Sequence, residues 1–284
     1  MRRGVFLAFA WLALVPCAGL AHEHWLAPSR FIAAGRDPVA ISVRIGEGLC
    51  GPARPYRAER TVRFVARIGR TFDLAPFATE GDTAWARLAA SDDGGALLAF
   101  ESNFVSHRME GARFDAYLAQ EGLDGALTSR RAARDSSAGR ERYRRCSKLW
   151  LSGSSDSSRF AGRATAPVGL PLEIVPLATP GLAAELAVRV LFAGQPLGNA
   201  LVQAWNVPIE MHGAVRVCAA EHSGVPAVWR GRTGANGVVR VPCAAAGQWL
   251  IGTVHMVASA EREEADWEST WGSLGFGREA AASR

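Results

Sequence analysis

Lysine is almost missing from this chain. Lys148 is the single one, and arginine supplies the rest of the 32 basic residues. Against 27 acids this leaves a net charge of +5, of which Arg2 and Arg3 contribute two. So small an excess does not argue for a nucleic-acid partner, and the arginine bias reads as codon usage. Cys-x-x-Cys spacing is also missing, as are the Gly-x-Ser-x-Gly elbow, the phosphate loop, the dinucleotide fingerprint and the His-Glu-x-x-His zinc helix. No nucleophile–base pair stands out, so an ordinary hydrolase is not expected. The chain has no apolar run of roughly 20 residues, the length a bilayer span requires. With 49% hydrophobic and 21% charged residues it can still bury a real core, and disorder is not indicated.

What is present begins at the start. Met1-Arg2-Arg3 is basic, residues 5–15 are almost unbroken apolar, and Gly19 and Ala21 are small at the −3 and −1 positions of a cut after Ala21. This layout predicts a signal peptide over 1–21, a periplasmic destination, and a mature chain beginning His22-Glu23-His24-Trp25-Leu26. Pro16 stands before Cys17 where lipidation would want a small residue, so a lipoprotein is not expected. Cys50, Cys146, Cys218 and Cys243 then remain in an oxidising compartment. Four cysteines allow three connectivities, and pairing within each half, Cys50–Cys146 and Cys218–Cys243, is the expected one.

The pattern along the chain is mainly β. Period-2 alternation predicts strands near 39–45, 61–68, 84–88 and 96–101, separated by turn chemistry such as Gly81-Asp82 and Asp92-Asp93-Gly94-Gly95. A helical insertion is expected over about 111–150, in stretches 112–121, 125–134 and 139–149. In the first, Phe114, Tyr117 and Leu118 follow helical spacing and Gly122 caps the end. The arginines from Arg130 to Arg145 read as a solvated helix face, since acids are interspersed. After a Ser-rich loop at 152–158, strands recur near 172–176, 186–192, 200–205, 238–241, 247–257 and 268–276. The expectation is two β-sandwich-like, immunoglobulin-like modules: 22–165, carrying the helical insertion, and 166–284. Trp267 and Trp271 share a face at strand spacing and are expected to fill the second sandwich.

The amino terminus carries the chemistry. A free α-amine, two backbone amides and the third-residue imidazole, here His24, form the square plane preferred by Cu(II) and Ni(II). A second mode uses the amine and ring of His22 together with a histidine brought in by the fold, a histidine brace. The first needs a flexible end and the second a docked one, and the apolar Trp25-Leu26 favours docking.

In its ordered motifs the chain resembles the nickel-uptake substrate-specific component family of exported bacterial proteins. The resemblance rests on Ala21-His22-x-x-Trp25-Leu26-x-Pro28, Phe114-x-x-Tyr117-Leu118-x-x-Glu121-Gly122-Leu123 and Tyr143-x-Arg145-x-x-Lys148. It continues through residues 169–176, Gly247-x-Trp249-Leu250-Ile251 and Trp267-Glu268-Ser269. It implies a transition-metal site at His22, with His255 and His107 as the first choices for partners. His24 departs from the family, standing where a hydrophobic residue is expected. The resulting expectation is a non-enzymatic periplasmic protein that captures or chaperones Ni, Co or Cu, with the metal ion and a membrane metal transporter as partners. The alternatives are a histidine-brace copper oxidase or monooxygenase, and a metal-free sandwich scaffold or adhesion protein.

Overall fold

The computed structural model describes residues 23–32, 38–89, 94–153, 161–209 and 224–279. The first strands are β1 (Glu23–Pro28), β2 (Val39–Gly46), β3 (Ala53–Arg54), β4 (Thr61–Ile68), β5 (Arg70–Asp73), β6 (Ala86–Leu88), β7 (Ala96–Ser102) and β8 (Val105–Met109). Helices α1 (Gly111–Gln120) and α2 (Asp124–Ala132), strand β9 (Gly139–Leu151) and the short α3 (Ala161–Thr165) follow. The remainder is β10 (Leu172–Pro176), β11 (Glu185–Phe192), β12 (Gln195–Pro196), β13 (Leu201–Val207), β14 (Trp229–Arg232), β15 (Val238–Pro242), β16 (Gly247–Ala258) and β17 (Trp267–Arg278). The fold is mainly β.

A nine-stranded sheet runs β14-β13-β16-β17-β9-β7-β4-β5, with β8 also on β9. Its strands come from both sides of residue 165. They meet where β9 and β17 pair in parallel, Glu141 opposite Trp267 through Trp150 opposite Phe276. Two four-stranded sheets, β1-β2-β3 with β6 and β10-β11-β12 with β15, pack against it. Side chains alternate across a strand, and β9 shows what that separates. Leu149 and Leu151 join Leu26, Ile41, Val43, Phe64 and Phe100 in one core, whereas Trp150 joins Leu172, Val188, Ile251 and Phe276 in another. The two small sheets therefore cover opposite faces of the large one, giving two sandwiches with a shared layer.

Helices α1 and α2 lie on the face that carries β1, where Phe114, Tyr117 and Leu118 are buried with Val254 and Met256 of β16. Glu110 caps α1 by accepting from the Ala112 and Arg113 amides. Trp267 and Trp271 pack against this helical cluster and not inside the second sandwich, which corrects the expectation. Both do share a face of β17, but it is the face under the helices.

Residues 139–149, expected to be helical, are strand β9. The arginine-rich composition suits a helix, but Arg140, Arg142 and Arg144 recur at period 2. They meet Asp266, Glu268 and Glu101 respectively, the last pair at 3.8 Å. Arg130 is not on a solvated face either. It is 3% exposed and bonded to Asp115, Asp135 and the Ser137 carbonyl.

Neither expected disulfide forms. Cys146 and Cys243 are free, buried thiols, each pushed up to about 12 chiefly by burial. Cys50 is disulfide-bonded, with its partner outside the described residues. The reason is topological: Cys146 packs on Ala99 and Leu170, on the face of the large sheet away from β2 and the turn that holds Cys50.

The single lysine joins the large sheet to β10. Lys148 is fully buried and donates to Glu173 Oε1 at 2.8 Å. The amides of Val168, Gly169 and Leu170 also donate to that carboxylate, at 2.8, 2.9 and 3.2 Å. Removing the acid orphans an ammonium and three amides, whereas removing the lysine leaves the carboxylate with three donors. Glu173→Ala is therefore expected to cost about 3–5 kcal/mol, and Lys148→Met distinctly less. Urea unfolding compares them, and equal losses would mean that the three amides do not share in holding the acid.

Candidate functional site

His22 lies outside the described residues, and β1 begins at the next position. Its strand pairs with β2 from Glu23 opposite Gly46 and His24 opposite Ile45. His24 is 6% exposed and stacks on Phe100, with ring centroids 5.2 Å apart. Its Nδ1 lies 2.6 Å from Ser147 Oγ, and its carbonyl accepts from Ser147 Oγ at 3.1 Å and Ser273 Oγ at 2.6 Å. Burial, and then the charge of Arg145, hold its pKa well below the ordinary histidine value. The square-planar wrap needs the backbone of residues 23 and 24 free to fold around an ion. Here that backbone is a paired strand and the ring is turned into the core. His24 anchors the end of the chain.

The histidines are not brought together. His255 stands on the opposite face of the large sheet, its ring edge-on to Phe192 at 4.4 Å between centroids. His107 is on the β1 side but pairs with Glu141, six residues along β9 from the Ser147 that holds His24. At ~3.3 Å per residue that is roughly 20 Å. Its Nε2 is buried without a hydrogen-bond partner, beside a carboxylate occupied by Tyr117 and Ser269. Among the described residues, no group of three or more His, Cys, Asp or Glu side chains stands close enough to hold a metal.

What gathers at the start of β1 is acid. A cavity of about 20 Å³ lies between β1, the end of α1 and strands β13, β16 and β17, lined by Glu23, His24, Glu121, Gln203, Trp205 and Trp271 among others. It has room for about one water. Glu23 Oε2 accepts from the Gly48 amide at 3.0 Å, and Gln203 Nε2 donates to Glu121 Oε2 at 3.0 Å. Both carboxyls are pushed up to about 7, foremost by burial. The charges of Glu121 and Glu47 raise Glu23 further, while Arg230 and Gln203 pull Glu121 back.

Local sequence explains how Glu121 arrives there. It caps the C-terminus of α1, where the helix dipole disfavours an anion. Gly122 then turns left-handed at φ +65, and the Leu123 amide closes on the Leu118 carbonyl at 2.8 Å. A Cβ at Gly122 would come within 2.9 Å of the Leu201 side chain. Glu121-Gly122-Leu123 was visible in the sequence as a motif without a role. Nothing there linked it to Glu23 or Gln203.

The family described as Domain of unknown function (DUF4198) matches residues 19–257, and the chain belongs to it. No curated protein matches. A solved structure titled "D0-D1 domain of Intimin" aligns over 90% of this chain and 97% of that one. Its 10% identity and TM-score of 0.19 carry no argument about this chain. No helix among the described residues is long and apolar enough to cross a membrane.

The cavity acids leave a signature in stability. In the folded chain the Glu23 and Glu121 carboxyls are pushed up to about 7, against an ordinary value of 4.5. Between those values the folded chain holds protons that the unfolded chain has released. Their stabilising share is thus whole below the lower value and is lost as pH rises through the upper one. His24 works in the opposite sense, since its folded pKa is depressed and its share is lost as pH falls below 6.5. A Glu23→Gln/Glu121→Gln variant isolates the carboxyls. Its stability relative to the parent should grow with pH across that window and level off above it. Urea unfolding at a series of pH values checks this, and a difference flat with pH would contradict it.

Proposed function

We propose that this DUF4198 protein is an exported, non-enzymatic metal-binding protein. On this reading it captures or chaperones nickel, cobalt or copper in the periplasm for a membrane metal transporter. The observation that carries the reading is the acidic cavity at the first residue of β1, where Glu23 and Glu121 share a water-sized space. A cut after Ala21 would set the α-amine and imidazole of His22 one peptide bond from Glu23. The donor set then fits a divalent transition ion: carboxylates from Glu23 and Glu121, with an amine and an imidazole from His22. Buried carboxyls kept from ionising gain most when a cation enters beside them. The docked strand also favours the mode in which His22 chelates through its own amine and ring, because that mode needs a held end.

The chain's own residues have separable tasks in this scheme. His24, Ser147 and Ser273 seat the strand. The turn at Gly48 orients Glu23, and Gln203 orients Glu121. A bound ion would add positive charge beyond that of Arg230.

Calorimetry with Ni(II) and Cu(II) tests the reading on the mature protein. One alanine added ahead of His22 should weaken binding at least about tenfold, or about 1.4 kcal/mol, because it removes the amine from the imidazole's chelate ring. Glu121→Gln should also weaken it. His24→Ala should lower the melting temperature while leaving the bound ion's spectrum close to that of the parent. Equal affinity with and without the added alanine would remove the amino terminus from the site.

A further inference from the structure

The outer face of the β1-β2-β3 sheet carries a groove that the cavity at Glu23 does not explain. It measures about 370 Å³, within the range of small-molecule sites (~300–1,000 Å³), and is lined by Ala27, Ala40, Ser42, Arg44, Ala53 and Ala84 among others. The register makes it a continuous surface: Ala27 lies opposite Ser42, Trp25 opposite Arg44, and Ala53 opposite Arg44 on the far side. Alternate residues of the same strands, Leu26, Ile41 and Val43, point into the core. The floor is therefore built of alanines, where strand positions of this kind usually carry larger side chains.

Arg44 stands at one end of this floor, and among the described residues no acid forms an ion pair with it. Its Nη1 donates to the Gly51 carbonyl at 2.8 Å, while its Nε is closed off from water without a hydrogen-bond partner. Burial lowers its pKa. Its cross-strand neighbour Trp25 is 1% exposed, and its Nε1 is also without an acceptor. At the other end Arg87, opposite Ala40, is 61% exposed and lies 3.9 Å from Asp82, so that rim is close to neutral. Arg44 lines the groove, and a guanidinium there offers charge-assisted N–H donors that suit a carboxylate.

We propose that this groove is a binding site for a small organic carboxylate, held by Arg44 with its aliphatic part on the alanine floor. The apolar floor and the single guanidinium select a monoanion with a short hydrocarbon body over phosphate, which wants several donors. The site lies apart from the acidic cavity and does not depend on the metal reading.

Calorimetry on the metal-stripped mature protein tests it, with butyrate as probe, butyramide as the uncharged control and inorganic phosphate as the competing anion. Butyrate should bind with one-to-one stoichiometry, and butyramide at least about tenfold more weakly. Arg44→Met keeps the apolar stem and should remove butyrate binding. Ala40→Leu fills the floor without touching the charge and should do the same, so a folding defect in one variant does not decide the matter. No butyrate binding, equal binding of butyrate and butyramide, tighter binding of phosphate, or undiminished affinity in both folded variants would each overturn the proposal.

Discussion

Strand β9 has to satisfy a different chemistry on each of its faces, and the rest of the architecture follows from how it does so. On one face Glu141, Ser147, Leu149 and Leu151 serve the helices, the β1 strand and the first core. On the other, Arg140, Arg142, Cys146, Lys148 and Trp150 serve the ion pairs and the second core. Because β9 pairs in parallel with β17, a strand from near the end of the chain is locked beside one from its middle. Lys148 completes that lock. A buried ammonium is tolerated only with a partner whose remaining lone pairs are also filled, and Glu173 takes four donors, the number its two oxygens can accept. The pair thereby ties the loop at 168–170 and strand β10 to the centre of the large sheet.

Much of the fold was legible in the sequence because alternation and turn chemistry are local signals. Strand β4 falls on the expected 61–68, and α1 ends at the glycine that the spacing marked. The misreadings share a physical cause. Residues 139–149 have helix-forming arginines, and only acids distant in sequence, on β7, on β17 and in the loop before β17, turn their period-2 spacing into a strand. Trp267 and Trp271 declared a shared face, but which face of a two-sided sheet lies under the helices is decided by tertiary packing. Cysteine pairing failed for the same reason, since a count of four says nothing about a sheet standing between Cys50 and Cys146.

The candidate site was half legible. Two histidines ahead of a tryptophan marked the amino terminus, yet His24 proves to be the anchor, and its acidic neighbour Glu23 is what faces the cavity. Glu121 reached that cavity through a helix end almost a hundred residues away, a distance no local pattern spans.

Four acids show how unevenly the chain satisfies its carboxyls. Glu173 has four donors, one of them a cation. Glu141, also raised by burial, is met by Tyr117 and Ser269. Glu121 has one side-chain amide and sits at the wrong end of a helix dipole, and Glu23 faces two further acids. A fold that can saturate Glu173 so completely has the means to satisfy an acid where stability is the goal. Leaving two under-satisfied carboxyls on one small cavity works against stability, and such local conflicts gather at functional sites. The same contrast separates the two proposed sites. Among the described residues, two acids at the cavity stand against the single attractive charge of Arg230, and Arg44 at the groove has no acid partner, so each ligand class follows from the charge that the fold leaves unbalanced.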